Sequence, residues 1–360
     1  MKRATGRMGH RALLTVGCMA LAAASLGSTA CGGSASSSGS ASSSAAKQYV
    51  IGVADNVVGN GWRDELGCAA EVQAKLSGRV SKVINASANG SVSDEITQMR
   101  NLISAGVNAI IVDPADSTAL NPVIDQAHAA GIVVVSVDST VTDTNAYNFS
   151  NNQTLYGYDS ALWLFQQLSG TGTVLELRGA AGSSADTDRH TGFEQALAGY
   201  PGIKVTSEFT GWSVATASQD VAQLLASGTP INGIYTSGTG QAVWSAYLAA
   251  NVPYVPTAVS DNDGDLEGPA TGTSGAAVVV SNPAVVGGGG VTVALNVLEG
   301  KSQAKSVLLK PTVWSSTTAS GLASIKAGYN PRLGPYYSTD TSIPGYTTFT
   351  PGQLLLCQGP

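Results

Sequence analysis

Basic residues are scarce in this chain: 18 Lys and Arg stand against 24 Asp and Glu, a formal net charge of −6 at pH 7. An acidic chain lacks the electrostatic footprint that phosphate backbones need, so nucleic acid is not expected as a partner. Long apolar runs are missing after the first 30 residues, and none of the later ones is long and charge-free enough to span a bilayer as a helix. No GxSxG nucleophile elbow occurs. The glycine run from Gly287 to Gly290 has no Lys-Ser/Thr after it, so it is not a phosphate loop. It predicts instead a helix packed closely on a neighbour, at a cost of about 1 kcal/mol per glycine relative to alanine. Histidine is rare: His128 falls in a helical segment as a surface residue, and His190, beside Arg189, reads as structural. The DNDGD stretch at 261–265 lacks the glycine placement and distal glutamate of a calcium-binding hand. No metal, no cofactor and no enzymatic reaction are therefore expected.

What is present begins with an export signal. Lys2, Arg3, Arg7 and Arg11 precede an apolar stretch from Ala12 to Leu26 that is too short and too rich in small residues for a spanning helix. Cys31 follows, and then a Gly/Ser/Ala tract that behaves as a flexible tether. Together these resemble a bacterial lipoprotein signal, in which Cys31 is lipidated and becomes the mature N-terminus. Ser28 departs from that pattern, which usually has a branched apolar residue there. The resemblance implies an extracytoplasmic protein anchored by lipid to the cell membrane. Loss of residues 1–30 removes four basic residues, which takes the net charge from −6 to about −10. Of the four cysteines, Cys18 leaves with the leader and Cys31 carries lipid. Cys68 and Cys357 remain as a pair in an oxidising compartment, where a disulfide is expected.

The body of the chain alternates short apolar runs with amphipathic segments. YVIGVA (49–54), SKVINAS (81–87), NAIIVD (108–113) and IVVVSVD (132–138) read as buried strands. Helices between them are marked by Trp62, Leu66, Ala69, Val72 and Leu76 at helical spacing, and by the Ser91 and Asp94 cap ahead of Ile96, Met99 and Ile103. After 146–152 the pattern restarts, with strands at 173–179, 203–209, 232–237, 256–261 and 275–281, and a final strand-like run at 307–313. Two consecutive arrays of this kind predict two similar α/β lobes, each a parallel sheet wound with helices. Ligands of such sheets bind outside the carboxyl ends of the strands, where Asp55, Asn56, Asp113 and Asp138 gather.

Five stretches in order, NGWRDELGCAAE (60–71), NAIIVDPADSTAL (108–120), VVVSVDS (133–139), NNQTLYG (151–157) and GAAGSSADTDRHTGF (179–193), give the chain its resemblance to a known family. From about Tyr49 to Pro311 it resembles the ribose/galactose-type periplasmic binding proteins, the substrate-binding subunits of sugar ABC importers. The resemblance implies two doubly wound parallel-sheet lobes joined by a three-crossing hinge, the type I periplasmic-binding-protein fold. It places the crossings near 150, 281 and 306. The first lobe is then 47–150 plus 282–305 and the second 151–281 plus 306–325. Residues 1–30 are the leader, 31–46 the linker, and 326–360 a tail returning to the first lobe.

A sugar site needs planar charged groups that take pairs of hydroxyls, and aromatic faces for the apolar side of the ring. Carried over residue by residue, the family's site implies ligand contacts from Asn56, Asn60, Trp62, Arg63 and Asp138 in the first lobe. Arg189, Trp212, Asp261, Ser281 and Asn282 supply the second lobe and the crossings. Plainer readings compete: Asp138 and Asp261 as caps, Trp62 as a core residue, Arg189 paired with Asp186 or Asp188. Arg63 at a helix start opposes the helix dipole, which favours a ligand role. Ser139, Thr187 and Gly238 stand where ribose-binding members carry arginine, arginine and asparagine. The Trp62-Arg63 pair is similar to what furanose-binding relatives carry, which points to a furanose or a polyol.

The expected function is a monomeric receptor that captures a small sugar or polyol and delivers it to an ABC permease in the membrane. A sensory receptor of the same fold is the alternative; a secreted hydrolase would reveal itself by turnover. Repressors of this fold carry a helix-turn-helix, and nothing before Tyr49 resembles one.

Overall fold

Successive side chains of a strand point to opposite faces of its sheet, so a run that is apolar throughout must be covered on both sides. The computed structural model describes residues 47–55, 57, 61–87 and 91–355, all within the unit Ala46–Pro360. It opens with β1 (Tyr49–Asp55), α1 (Gly61–Ser77), β2 (Val80–Ser87), α2 (Val92–Ser104), β3 (Ala109–Asp113), α3 (Asn121–Ala129), β4 (Val133–Val137) and β5 (Tyr147–Asn151). Ile51, Val53, Ile111, Val135 and Val137 face one core, and Ala54, Ile110, Val112 and Val134 face the other. The Ser91 cap forms as its spacing predicts: the Ser91 N–H donates to Asp94 Oδ2 at 2.8 Å.

A second array follows: α4 (Gln153–Gln167), β6 (Thr171–Arg178), α5 (Ser184–Leu197), β7 (Gly202–Phe209), α6 (Val214–Ala226), β8 (Gly233–Thr236), α7 (Gly240–Ala250), β9 (Thr257–Ser260), α8 (Asp263–Thr271) and β10 (Ala277–Val280). The chain then runs through α9 (Val286–Leu298), β11 (Ser306–Leu309), β12 (Val313–Ser315), α10 (Ala319–Gly328) and α11 (Pro351–Leu355). The first sheet has the order β11-β5-β4-β3-β1-β2 and the second β12-β10-β9-β8-β6-β7. Every pairing is parallel except β10 with β12. Each sheet therefore reverses its strand order once, between β1 and β3 and between β6 and β8, and ligands bind at such switch points.

One boundary differs from expectation. Ser306–Leu309 pairs with Asn148–Asn151 of the first sheet, so the last crossing lies after Leu309 rather than near 306. The single strand expected at 307–313 is two strands in different sheets, because Pro311 interrupts the run.

α9 returns to the first sheet, and its glycines explain how closely it packs. A Cβ on Gly287 would stand 2.2 Å from the Leu66 carbonyl oxygen of α1, and one on Gly289 2.1 Å from the Phe149 ring. The expectation of close packing holds, since only glycine fits there. Among the described residues no helix is long and apolar enough to cross a membrane.

Candidate functional site

The two switch points face one cavity, in the place where ligands of such sheets bind. Its lining includes Trp62, Arg63, Asp138, Arg189, Trp212 and Asn282, six of the residues expected there, together with Ser237, Gly238, Ser260, Asn262 and Tyr336.

On the first-lobe side, β1 and β3 end side by side on Asp55 and Asp113. Both carboxylates ion-pair with the guanidinium of Arg63, Asp55 at 3.0 Å. This answers the helix-dipole objection to a cation at that position, because the strand ends supply its counter-charges. Burial works against the charge of Arg63, but Asp113, Asp55, Asp138 and Glu95 outweigh it and hold the guanidinium above its usual pKa. Arg63 thus has a structural partner and a cavity face at once. Beside it, the Trp62 indole donates to the Asn282 carbonyl at 2.7 Å, and the ring both lines the cavity and packs against the first-lobe core.

Asp138 has a φ of 60°, the left-handed region that a non-glycine residue enters only at a cost. Its Oδ1 accepts from Asn151 Nδ2 at 3.0 Å and Gln153 Nε2 at 2.8 Å. Gln153 Oε1 in turn accepts from Arg189 Nε at 2.7 Å. One glutamine thereby ties the carboxylate of the first lobe to the guanidinium of the second. Arg189 also lies over the Tyr156 ring, 4.4 Å from its centroid, in cation–π geometry. Its backbone is held by the contact of α4 with α5, where a Cβ on Gly157 would stand 1.9 Å from the Arg189 carbonyl oxygen.

Trp212 follows Gly211, and both have positive φ, 58° and 61°. That turn lays the indole against the backbone of Gly179, where a Cβ would stand 2.3 Å from the ring. Its Nε1–H donates to Ser237 Oγ at 3.1 Å.

Two expected contacts are not in the lining. Asp261 is 1% exposed; its Oδ1 accepts the Asn282 N–H and its Oδ2 the Ser338 hydroxyl, each at 2.8 Å. The chain alternates there, so Ser260 and Asn262 face the cavity while Asp261 turns away and braces the crossing. Ser281 likewise accepts the Thr312 N–H at 2.8 Å through its hydroxyl, fastening two crossings, while its neighbour Asn282 lines the cavity. Neither Asp186 nor Asp188 pairs with Arg189 as its plainer reading allowed. Asp186 binds Arg178 at 2.6 Å and the Gly179 N–H at 2.7 Å. Asn56, Asn60, Cys31 and Cys357 lie outside the described residues.

The other constellations resolve into structure. His190 pairs with Glu176 at 2.8 Å. In DNDGD, Asn262 caps α8 through the Asp265 N–H at 2.9 Å, and Asp265 accepts from the Gly240 and Ser260 N–H groups at 2.6 and 2.8 Å. Among the described residues no group of three or more His, Cys, Asp or Glu could hold a metal.

Sequence reasoning missed Gln153, Ser237, Ser260, Asn262 and Tyr336. Gln153 lay in the NNQTLYG stretch and was legible only as part of it. Tyr336 lies in a tail with no periodic pattern to place it.

Two guanidiniums, a carboxylate and several aromatic faces around one cavity suit a neutral, polyhydroxylated ligand. They offer bidentate donors and acceptors for vicinal hydroxyls and apolar faces for ring carbons.

Known proteins resemble this chain in sequence and fold. Residues 51–302 match the model of a family described as the periplasmic binding protein domain. A xylitol-binding protein of Mycolicibacterium smegmatis is 32% identical over 151 residues, 41% of this chain and 43% of that protein. A galactofuranose-binding protein of Escherichia coli is 28% identical over 169 residues, 46% of this chain and 52% of that protein. The matched segment thus spans about half the length of these relatives. The crystal structure of an ABC transporter solute-binding protein from Thermobispora bispora superimposes with a TM-score of 0.72 at 25% identity, covering 81% of this chain and 90% of that one.

Proposed function

The chain belongs to the periplasmic binding protein domain family, and from that premise we propose that it is an extracytoplasmic receptor, not an enzyme. It captures a small sugar or polyol in the cavity between its two sheets and delivers it, as a monomer, to an ABC permease. The observation that carries the reading is the convergence of Trp62, Arg63 and Asp138 from one lobe with Arg189 and Trp212 from the other on a single cavity. Groups divided between two bodies bind best when the bodies close on the ligand, so binding shifts the lobes toward the closed arrangement. Asp138 and Arg189 take paired hydroxyls, and the indoles take the apolar side of the ring. Ser139, Thr187 and Gly238, where ribose-binding members have larger polar groups, favour a furanose or a polyol over ribose. The names of the xylitol- and galactofuranose-binding relatives fit that preference.

The anchor and the bridge belong to the same proposal. Cys31 carries lipid and tethers the body through residues 31–46. Cys68 bridges to Cys357; in support, Cys68 is buried and its Sγ stands 3.0 Å from the Leu354 carbonyl oxygen, close in sequence to Cys357. A bridge closing a loop of about 290 residues stabilises by up to roughly 5 kcal/mol in the chain-entropy account. Non-reduced peptide mapping and the mass of the mature N-terminal peptide check the two statements.

The test of the function is a thermal-shift panel on the oxidised chain with xylitol, D-ribose, L-arabinose, D-fructose and myo-inositol. A ligand at a thousand times its Kd stabilises by about 4 kcal/mol, a rise of roughly 8 to 16 °C for a domain of this size. A rise with one sugar class is expected; no rise with any of them removes sugar from the proposal.

A further inference from the structure

The tail after α10 lies beyond residues 51–302, the part matched by the family model, yet it is fastened to both lobes. On the second lobe, the Asp263 N–H donates to the Tyr337 carbonyl at 2.9 Å, the Gly264 N–H to that of Pro335 at 2.8 Å, and the Thr339 N–H to that of Asp261 at 2.9 Å. Asp263 Oδ1 accepts the Asn330 N–H at 2.7 Å. On the first lobe, the Ser338 N–H donates to Glu65 Oε2 at 2.8 Å and the Thr348 N–H to Gln73 Oε1 at 2.9 Å. Tyr337, Ile343, Phe349 and Leu354 are buried in the core that α1 and α9 share. Ser338 is the pivot, with its N–H on Glu65 of one lobe and its hydroxyl on Asp261 of the other.

Between these fastenings the tail makes a turn in which the Tyr337 N–H returns to the Gly334 carbonyl at 2.9 Å, with Pro335 at the position that presets such a turn. Neighbouring residues then point opposite ways. Tyr337 enters the first-lobe core, and Tyr336 lines the cavity. The fit is close on both sides: a Cβ on Gly61 would stand 3.0 Å from Tyr336 Cβ, and one on Gly264 3.0 Å from Pro335 Cβ. Two glycines at the starts of α1 and α8 therefore make room for the tail.

We infer that the tail is a fourth connection between the lobes and that Tyr336 on it is a specificity-determining wall of the ligand cavity. The second part rests on the proposed sugar-binding function; the first does not. A wall carried by a strap bound to both lobes is in place before the ligand arrives, so the Tyr336 ring limits the size and ring form of what enters beside Trp62. A rigid aromatic face supplies contact area at little entropic cost.

The test uses the full oxidised chain. Titration calorimetry with whichever of the five panel sugars raises the melting temperature most is expected to show Tyr336→Ala binding at least tenfold more weakly, with the melting temperature of the empty protein unchanged. Tyr336→Phe restores binding to near the native value, as a wall made by a ring requires. Native affinity in the alanine variant, or equal loss in both variants, overturns the role of Tyr336. If none of the five sugars binds the native chain, the proposed function falls, and the strap is judged on the empty protein by hydrogen exchange. The amides of Asp263, Gly264, Ser338 and Thr339 are expected to exchange slowly and together, and Ser338→Ala to accelerate all four. Exchange of these amides at free-chain rates in the native protein overturns the strap.

Discussion

Gln153 and Arg189 are joined by a single hydrogen bond of 2.7 Å, from Arg189 Nε to the Gln153 amide oxygen, while the amide nitrogen of the same glutamine serves Asp138. The two charged groups best suited to hold a ligand are thereby positioned by one neutral side chain at the start of α4. Gln153→Leu keeps the volume and removes these bonds, with those that the amide nitrogen also gives to the Asp138 carbonyl and Asn282 Oδ1, leaving a buried guanidinium and carboxylate without their shared partner. Ligand affinity is expected to fall by about 1 to 3 kcal/mol, read by calorimetry against the sugar that stabilises the native chain.

Asp138 is held in a left-handed conformation, which asparagine tolerates and alanine does not. Asp138→Ala is expected to weaken binding by about 1.5 to 3 kcal/mol through the lost charged acceptor and also to lower the melting temperature of the empty protein. Asp138→Asn separates the two effects: it is expected to weaken binding with little change in that melting temperature. Unchanged affinity in both variants would return Asp138 to a purely structural role.

Gly289→Ala opposes two effects of known sign. Helix propensity alone favours alanine by about 1 kcal/mol, but the new Cβ would stand 2.1 Å from the buried Phe149 ring. Overpacking of this kind costs about 1 to 3 kcal/mol or more, so denaturant unfolding is expected to show net destabilisation. Gly300→Ala tests a different cost, because Gly300 has a φ of 70° with open space around it; its loss is expected to come from backbone strain alone.

Glu95, beneath the Arg63 cluster, is pushed up to about 8, first by its burial and then by the Asp55 charge, against the opposing Ala115 N–H bond and Arg63. Its Oε1 finds no partner among the described residues, as suits a protonated carboxyl. The folded chain then keeps this proton up to about pH 8, whereas the unfolded chain releases it near the ordinary value of 4.5. Between those limits the folded state binds more protons, so stability declines as pH rises, by at most about 1.4 kcal/mol per pH unit for this group. Asp265, pushed up to about 7 mainly by burial, adds to the slope over the lower part of the range. Denaturant midpoints at pH 5 to 8.5 are expected to fall, and Glu95→Gln to flatten the upper part of the decline; a midpoint that rises across this range would contradict the assignment.

The lobes and the edge at which the cavity opens were legible because they follow from local pattern. Runs such as NAIIVD and IVVVSVD must be covered on both faces, and their polar ends must meet at the carboxyl edge. Which side chains line the cavity, Trp62, Arg63, Asp138, Arg189, Trp212 and Asn282, came from the family resemblance rather than from that pattern. It failed for α8, whose sequence DGDLEGPAT has no apolar stripe and whose helix is held by the Asn262 cap and by α7 and α10 around it. It failed also for β5, which reads as a crossing until β4 and β11 are seen to flank it.

By itself, then, the sequence determined most of the strands and helices and the polar strand ends at the cleft edge, since each depends on neighbours a few residues away. The tertiary structure alone decided which way each polar residue at a strand end faces. Asp261 and Ser281 turned inward to brace the crossings, Asn262 and Tyr336 turned toward the cavity, and Gln153 came to join two lobes. A one-residue step along an extended chain reverses the side a group faces, and hydrogen-bond partners such as Ser338, distant in sequence, select between the two.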